Sequence, residues 1–236
     1  MPRPDRATVA GLPHHVTHRG NRRERIFREE EDYRTYLRLL RKALERYHVW
    51  LWSYALMPNH IHLVAVPERS DSLGRAIQWA HGKYAEVFNV RYELVGHLWQ
   101  GRFRSSVMDE HHLFNGVRYV ERNPVRAGLV DRAEDYMWSS AAAHCGLRHD
   151  SILSNDCPLL AEIKDWSSWL AGAEPEAELQ NIRESTERCY PLGSKEFVRR
   201  IEEMSGLRFP EKKRRRKGDE GSDPSSPMLD LKFSER

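Results

Sequence analysis

Residues 49–67 read VWLWSYALMPNHIHLVAVP. Residues 49–56 are β-branched and aromatic, and residues 60–66 form a second apolar run. Both compositions suit strands. The link Met57-Pro58-Asn59 is too short for a crossover, so the two strands must pair antiparallel. This hairpin constrains the fold because helix-patterned segments flank it. Residues 29–47 carry Tyr36, Leu37, Leu40, Ala43, Leu44 and Tyr47 at helical spacing, with acids in the first turn where the helix dipole favours them. Residues 73–89 place Leu73, Ile77, Ala80, Tyr84 and Val87 on one face, with Ser72 positioned to cap. An alternating strand at 14–20 precedes this set, and a strand at 102–108 follows it. Asp109 caps a third helix over 110–122, closed by Pro124. The order βαββαβ plus a helix predicts an α+β fold: a ferredoxin-like, four-stranded antiparallel sheet with helices packed on it.

A length of 236 residues implies one domain with additions. Short helices are expected at 158–171, 176–188 and 194–204. They would form a small helical C-terminal extension spanning 131–209. From residue 210 the chain is charged and Ser/Pro-rich, a composition expected to stay disordered. Net charge is only +3, but arginines cluster between Arg19 and Arg25, at Arg102 and Arg104, and in KKRRRK at 212–217. Local basic patches of this kind point to a polyanionic partner. Cys145, Cys157 and Cys189 are far apart and form no CxxC pair, which argues against a zinc knuckle or a disulfide framework and fits a reducing, cytoplasmic setting. No apolar run reaches membrane-spanning length, and the N-terminus lacks a signal-peptide core, so no membrane partner is expected.

The third strand carries His60 and His62. Residues two apart on a strand face the same side, so these imidazoles share a face while Ile61, Leu63 and Ala65 take the other. Taken alone, HxH reads as readily as two half-exposed histidines bonded to neighbours. The third helix adds weight. Its apolar stripe is Leu113, Phe114, Val117 and Val120, and at ~100° per residue Tyr119 falls nearly opposite, away from core packing. His112, Gly116 and Asn123 form one row with Tyr119. Gly116, one turn before the tyrosine, leaves backbone room for a ligand. Two neutral imidazoles and an amide carbonyl make a mixed N/O donor set suited to Mg²⁺ or Mn²⁺, and such an ion can polarise a phosphodiester for attack by a phenol. No general base is evident.

MPNHIHLV followed by YVERNPVRAGLV resembles the single-tyrosine HUH transposases, and more narrowly the REP-associated tyrosine transposases of bacteria. HHVTHRGNRRERIF, LWQGRFRS, YMWSSAAAH and YPLGSKEFVRRIEEMSGLRF extend the resemblance over most of the chain to about residue 217. It implies an HUH catalytic domain over 1–130, the helical extension over 131–209 and a basic tail over 210–236. It implies cleavage and rejoining of single-stranded DNA at repetitive extragenic palindromes, short hairpins flanked by a small recognition tetranucleotide. Tyr119 would take the 5′ phosphate and leave a 3′ hydroxyl, with His60, His62 and Asn123 holding the cation. Insertion-sequence relatives often carry Gln where Asn123 stands; Asn is shorter, so the cation would sit closer to the helix or bind through water. Those relatives work as dimers with exchanged tyrosine helices, whereas the palindrome-associated group implies a monomer.

Separately from the resemblance, Arg19, Asn21, Arg22, Arg23 and Arg25 follow the first strand on a Gly-containing loop, an arrangement that can grip phosphates or read base edges. Arg102 and Arg104 are further candidate DNA contacts, and KKRRRK would add salt-sensitive affinity. Trp99 could stack an unpaired base, but a lone tryptophan is more often a core anchor. Two rivals remain: a non-catalytic sequence-specific DNA-binding regulator on the same fold, and a zinc hydrolase. The second would want a third histidine or acidic ligand and a nearby Glu base.

Overall fold

The computed structural model describes residues 6–210. Its centre is a four-stranded sheet of β1 (His14–Arg19), β2 (Val49–Met57), β3 (His60–Pro67) and β4 (Arg104–Val107), in the order β2-β3-β1-β4. Every adjacent pair is antiparallel. The hairpin forms as the short link requires, with Met57 opposite His60. Helices α1 (Glu30–Tyr47) and α2 (Ser72–Arg91) fill the two crossovers, completing the ferredoxin-like βαββαβ arrangement. The expected strand at 102–108 is shorter, because Gly101 turns the chain at φ 64° just before it.

The strand alternation sorts side chains into two layers. Val16, Ile61, Leu63 and Ala65 meet Tyr36, Leu40, Ile77, Ala80 and Tyr84 of α1 and α2 in the main core. Each fully buried aliphatic or aromatic side chain there contributes about 1.5–3 kcal/mol. Glu29 and Asp32 cap α1 in a reciprocal box. Asp32 also reaches α2, accepting from Arg91 at 2.5 Å and from the Tyr92 hydroxyl at 2.7 Å. Ser72 does not cap α2: the residue before the helix is Asp71, and the Ser72 hydroxyl is buried without a partner.

The opposite face carries α3 (Glu110–Glu121), capped by Asp109, which accepts from the His112 amide at 2.9 Å. Beyond it come α4 (Asn123–Arg126), α5 (Ala141–His144), α6 (Leu159–Glu162), α7 (Trp166–Ala171), α8 (Glu176–Arg188) and α9 (Lys195–Ser205). Pro124 does not simply end α3. The chain breaks at Arg122, and Pro124 sits in the first turn of α4, where its missing N–H costs nothing. The segment expected as one helix at 158–171 is split into α6 and α7.

Residues after 130 also close both sheet edges. Along β2, Leu56 N–H donates to Trp138 O at 2.8 Å and Ser140 N–H to Tyr54 O at 3.0 Å. Along β4, Leu192 N–H donates to Val107 O at 2.8 Å. Covering free edges removes a template for aggregation. Helix α3 packs on β2 and β3, while α8 packs on β4 and β1. Between them the sheet stays open. The KKRRRK run and the rest of 211–236 lie outside the described residues. No helix of the described residues is long and apolar enough to cross a membrane.

Candidate active site

The gap between α3 and α8 is a cleft of about 710 Å³. Its floor follows from strand register. Thr17 on β1 pairs with both His62 on β3 and Arg104 on β4, and Arg19 pairs with His60. Facing partners share a side of the sheet, so His15, Thr17, Arg19, His60, His62 and Arg104 all line the cleft. Tyr119 at the end of α3 and Asn123 at the start of α4 form one wall. Arg183, Thr186 and Glu187 of α8 form the other.

The rings are in contact. His60 and His62 have centroids 4.9 Å apart, and Tyr119 stands edge-on to His62 at 5.6 Å and to His15 at 5.5 Å. His60 donates from Nδ1 to Asn59 Oδ1 at 2.6 Å, and Asn59 Nδ2 donates to Arg23 O at 3.1 Å. Asn59 of the Met-Pro-Asn link therefore orients the first histidine. Burial pushes the His60 imidazole down to about 3, with Arg19 adding to the shift, and pushes His62 well below its ordinary value. Both rings are thus neutral near pH 7, the form able to ligate a metal ion. No hydrogen bond from the described residues engages Nε2 of either ring. The Asn123 side chain is buried at its Nδ2 without a hydrogen-bond partner. Two neutral imidazoles fit a divalent cation, and Asn123 lines the same cleft with a carbonyl oxygen as a further candidate donor. Among the described residues no group of three or more His, Cys, Asp or Glu is placed to hold a metal ion, so any ion here would need the amide or water.

Tyr119 corrects the helical-wheel argument. It is 7% exposed and packs with Val117 and Val120 rather than facing solvent. Helix α3 is covered on two sides, by the sheet and by α8, so a single apolar stripe does not describe it. Arg126 lies over the phenol ring, 4.2 Å from its centroid, and also donates to Tyr119 O. Glu174 bridges Arg122 at 3.0 Å and Arg126 at 2.8 Å. Gly116 does not open a path for a ligand either. A Cβ there would meet Met108 Sδ at 2.5 Å, so the glycine admits the methionine. His112 is outside the cleft, bonded to Asp109 at 2.6 Å. Asn123 reaches the cleft through the break at Arg122, not along one continuous helical row.

The mouth is basic. Arg6, Arg19, Arg102, Arg104, Arg126 and Arg183 line it, and Glu187 is the one carboxylate among the described lining residues. Burial and the like charges of Arg23 and Arg104 lower the Arg19 pKa, and burial with Arg102 lowers that of Arg6. Crowded cations of this kind favour an anion. Arg104 is partly spoken for, donating to Glu187 O at 2.7 Å and pairing with its carboxylate at 3.0 Å. Asn21, Arg22, Arg23 and Arg25 are exposed and do not line the cleft; Arg22 and Arg23 hold left-handed backbone angles of 53° and 62°. Trp99 is a core residue, donating to His81 O at 3.0 Å and stacked on His18 and His81. Sequence reasoning did not single out His15, Thr17, Arg126, Arg183 or Thr186. Alternation along β1 could have given His15 and Thr17. Nothing local marks the α8 residues, which reach the site only through tertiary packing.

A ferredoxin-like sheet presents an HxH pair to a buried tyrosine, the arrangement expected from the resemblance to the single-tyrosine HUH transposases. Residues 8–123 match the family model described as "Transposase IS200 like". The chain is similar to a Haemophilus influenzae protein classed as a REP-associated tyrosine transposase, 28% identical over 112 residues, covering 42% of this chain and 63% of that relative. Less than two thirds of that relative is therefore spanned. A solved REP-associated tyrosine transposase bound to a REP hairpin shares the fold, with TM-score 0.53 and 18% identity over 66% of this chain and 99% of that one.

Proposed function

We propose that the protein is a divalent-cation-dependent transposase or endonuclease acting on single-stranded DNA at hairpins of the repetitive extragenic palindrome type. The observation that carries this reading is that one arginine-lined cleft gathers Tyr119, His60, His62 and Asn123. His60, His62 and Asn123 are the residues that would hold Mg²⁺ or Mn²⁺. The bound ion would polarise the phosphodiester and offset charge at phosphorus. The Tyr119 phenol oxygen attacks phosphorus, losing its proton as the O–P bond forms. The bond from phosphorus to the 3′ oxygen breaks, and that oxygen leaves as a protonated 3′ hydroxyl. The 5′-phosphotyrosine link conserves the energy needed for rejoining.

Arg126 supports the nucleophile by lying over its ring; its cation favours negative charge on the phenol as the proton departs. Arg6, Arg19, Arg102, Arg104 and Arg183 are placed for phosphates around the reacting bond, and Asn21, Arg22, Arg23 and Arg25 for the DNA leading to it. The hairpin-bound relative supports hairpin DNA as the substrate. Tyr119 and the histidines meet within one chain, which supports action as a monomer, and the free cysteines fit the cytoplasm.

The test is incubation of the full chain with end-labelled hairpin oligonucleotides and Mg²⁺ or Mn²⁺. A denaturing gel should show a covalent protein–DNA adduct that is lost with EDTA and in Tyr119→Phe. Specific binding without any adduct would instead establish the non-catalytic regulator.

A further inference from the structure

His62 Nδ1 lies 2.9 Å from His15 Nε2, and the two ring planes are within 4° of parallel. His15 Nδ1 lies 2.8 Å from the Thr186 hydroxyl on α8. Two neutral imidazoles in such contact share one proton between the facing nitrogens, so one ring donates and the other accepts. If His15 donates, His62 carries its own proton on Nε2 and turns an N–H into the cleft. If His62 donates, its Nε2 lone pair faces the cleft, and His15 donates a hydrogen bond from Nδ1–H to the Thr186 hydroxyl. His60 has no such choice. Its Nδ1 faces the Asn59 carbonyl oxygen, whose orientation is set because Asn59 Nδ2 donates to Arg23 O. His60 therefore offers an Nε2 lone pair, and a paired site requires the same of His62.

We propose that His15 is a positioning residue: it accepts a hydrogen bond from His62 Nδ1–H, turns the His62 Nε2 lone pair into the cleft, and is itself anchored to α8 by Thr186. The inference rests on the reading that His60 and His62 hold a divalent cation. It extends that site beyond the HxH strand, because α8 would set cation affinity without supplying a ligand. Metal-bound histidines commonly donate their second ring N–H to a fixed acceptor, and losing that acceptor costs about 10- to 100-fold in affinity.

Two measurements test it on the full chain. Two-bond ¹H–¹⁵N spectra of histidine-labelled protein without metal report tautomers directly, with His62 assigned from a His62 variant. His62 should be protonated on Nδ1 in the wild type and in His15→Gln, which keeps an acceptor near Nε2, and should lose that preference in His15→Leu. Binding of Mn²⁺ alone, followed by electron paramagnetic resonance, should weaken about 10- to 100-fold in His15→Leu. The loss should be smaller in Thr186→Val, and His15→Gln should restore most of the affinity. A wild-type His62 protonated on Nε2 overturns the proposal whether or not His15→Leu folds. Wild-type Mn²⁺ binding with unchanged affinity in a folded His15→Leu overturns the positioning role alone. No Mn²⁺ binding by the wild type overturns the cation reading and this role with it.

Discussion

The two faces of the sheet each carry a stacked pair of buried histidines, and the pairs differ in how their nitrogens are used. On the α1/α2 face, His18 Nδ1 meets His81 Nδ1 at 2.7 Å, His81 Nε2 meets the Tyr36 hydroxyl at 2.8 Å, and His18 Nε2 meets Gly101 O at 3.3 Å. All four nitrogens are engaged, and Trp99 seals the stack. On the α3 face, His15 uses both nitrogens, but His62 and His60 each use only Nδ1. Burial keeps both sets neutral. Buried polar groups that are fully paired hold a fold together, whereas unengaged ones facing a cleft need another explanation. Burial and pairing alone do not mark a site; an imidazole nitrogen left open to a basic cleft does.

The sharpest way to break this contrast is to remove one histidine from each face. His62→Ala should lower DNA strand cleavage on the order of 10⁴-fold, as for loss of a group acting as a unit with the nucleophile. His81→Leu should leave cleavage by the folded fraction unchanged, while lowering stability to urea by about 1–3 kcal/mol for the unpaired His18 and Tyr36 groups. Equal losses of cleavage from both variants would erase the distinction.

A histidine away from both pairs sharpens it further. His144 donates from Nδ1 to Glu121 at 2.6 Å, and the same fully buried carboxylate accepts from Ser140 and, at 2.8 Å, from Trp166. Glu121 lies two residues past Tyr119, yet its contacts face away from the cleft. Glu121→Ala should cost about 3–5 kcal/mol of stability, since breaking a buried pair strands its partner. The folded fraction should still bind Mn²⁺ normally. A smaller expected effect concerns Glu174, which holds Arg126 against the phenol. Glu174→Gln should slow cleavage about 10-fold through misplaced orientation, with hairpin binding retained.

Buried structural histidines should also report themselves in pH. His14 and His18 are both pushed down to about 4 by burial, from an ordinary 6.5. Between these values the unfolded chain binds more protons than the folded one, so stability rises with pH. The urea midpoint should hold above pH 6.5 and fall as pH drops toward 4. A midpoint flat across that window would contradict the buried, neutral assignment.

Much of this was legible in the sequence, for physical reasons. The hairpin and the period-2 alternation of β3 put His60 and His62 on one face before any coordinates were needed. The ferredoxin-like order followed from one short link and two helical periods. Tyr119 was legible as a residue but not in its setting, because a wheel presumes one buried side and α3 has two. Gly116 was misread because sequence does not show that Met108 occupies its face. The α8 wall was not legible at all: Arg183 and Thr186 look like ordinary helix surface until the fold lays them against β1.

The most direct measurement is peptide mapping by mass spectrometry of the protein after reaction with a hairpin oligonucleotide and Mn²⁺. The account predicts a nucleotide joined through a phosphodiester to the peptide holding Tyr119, and none in a parallel sample with EDTA. A modified peptide elsewhere in the chain, or an adduct formed equally in Tyr119→Phe, would contradict it.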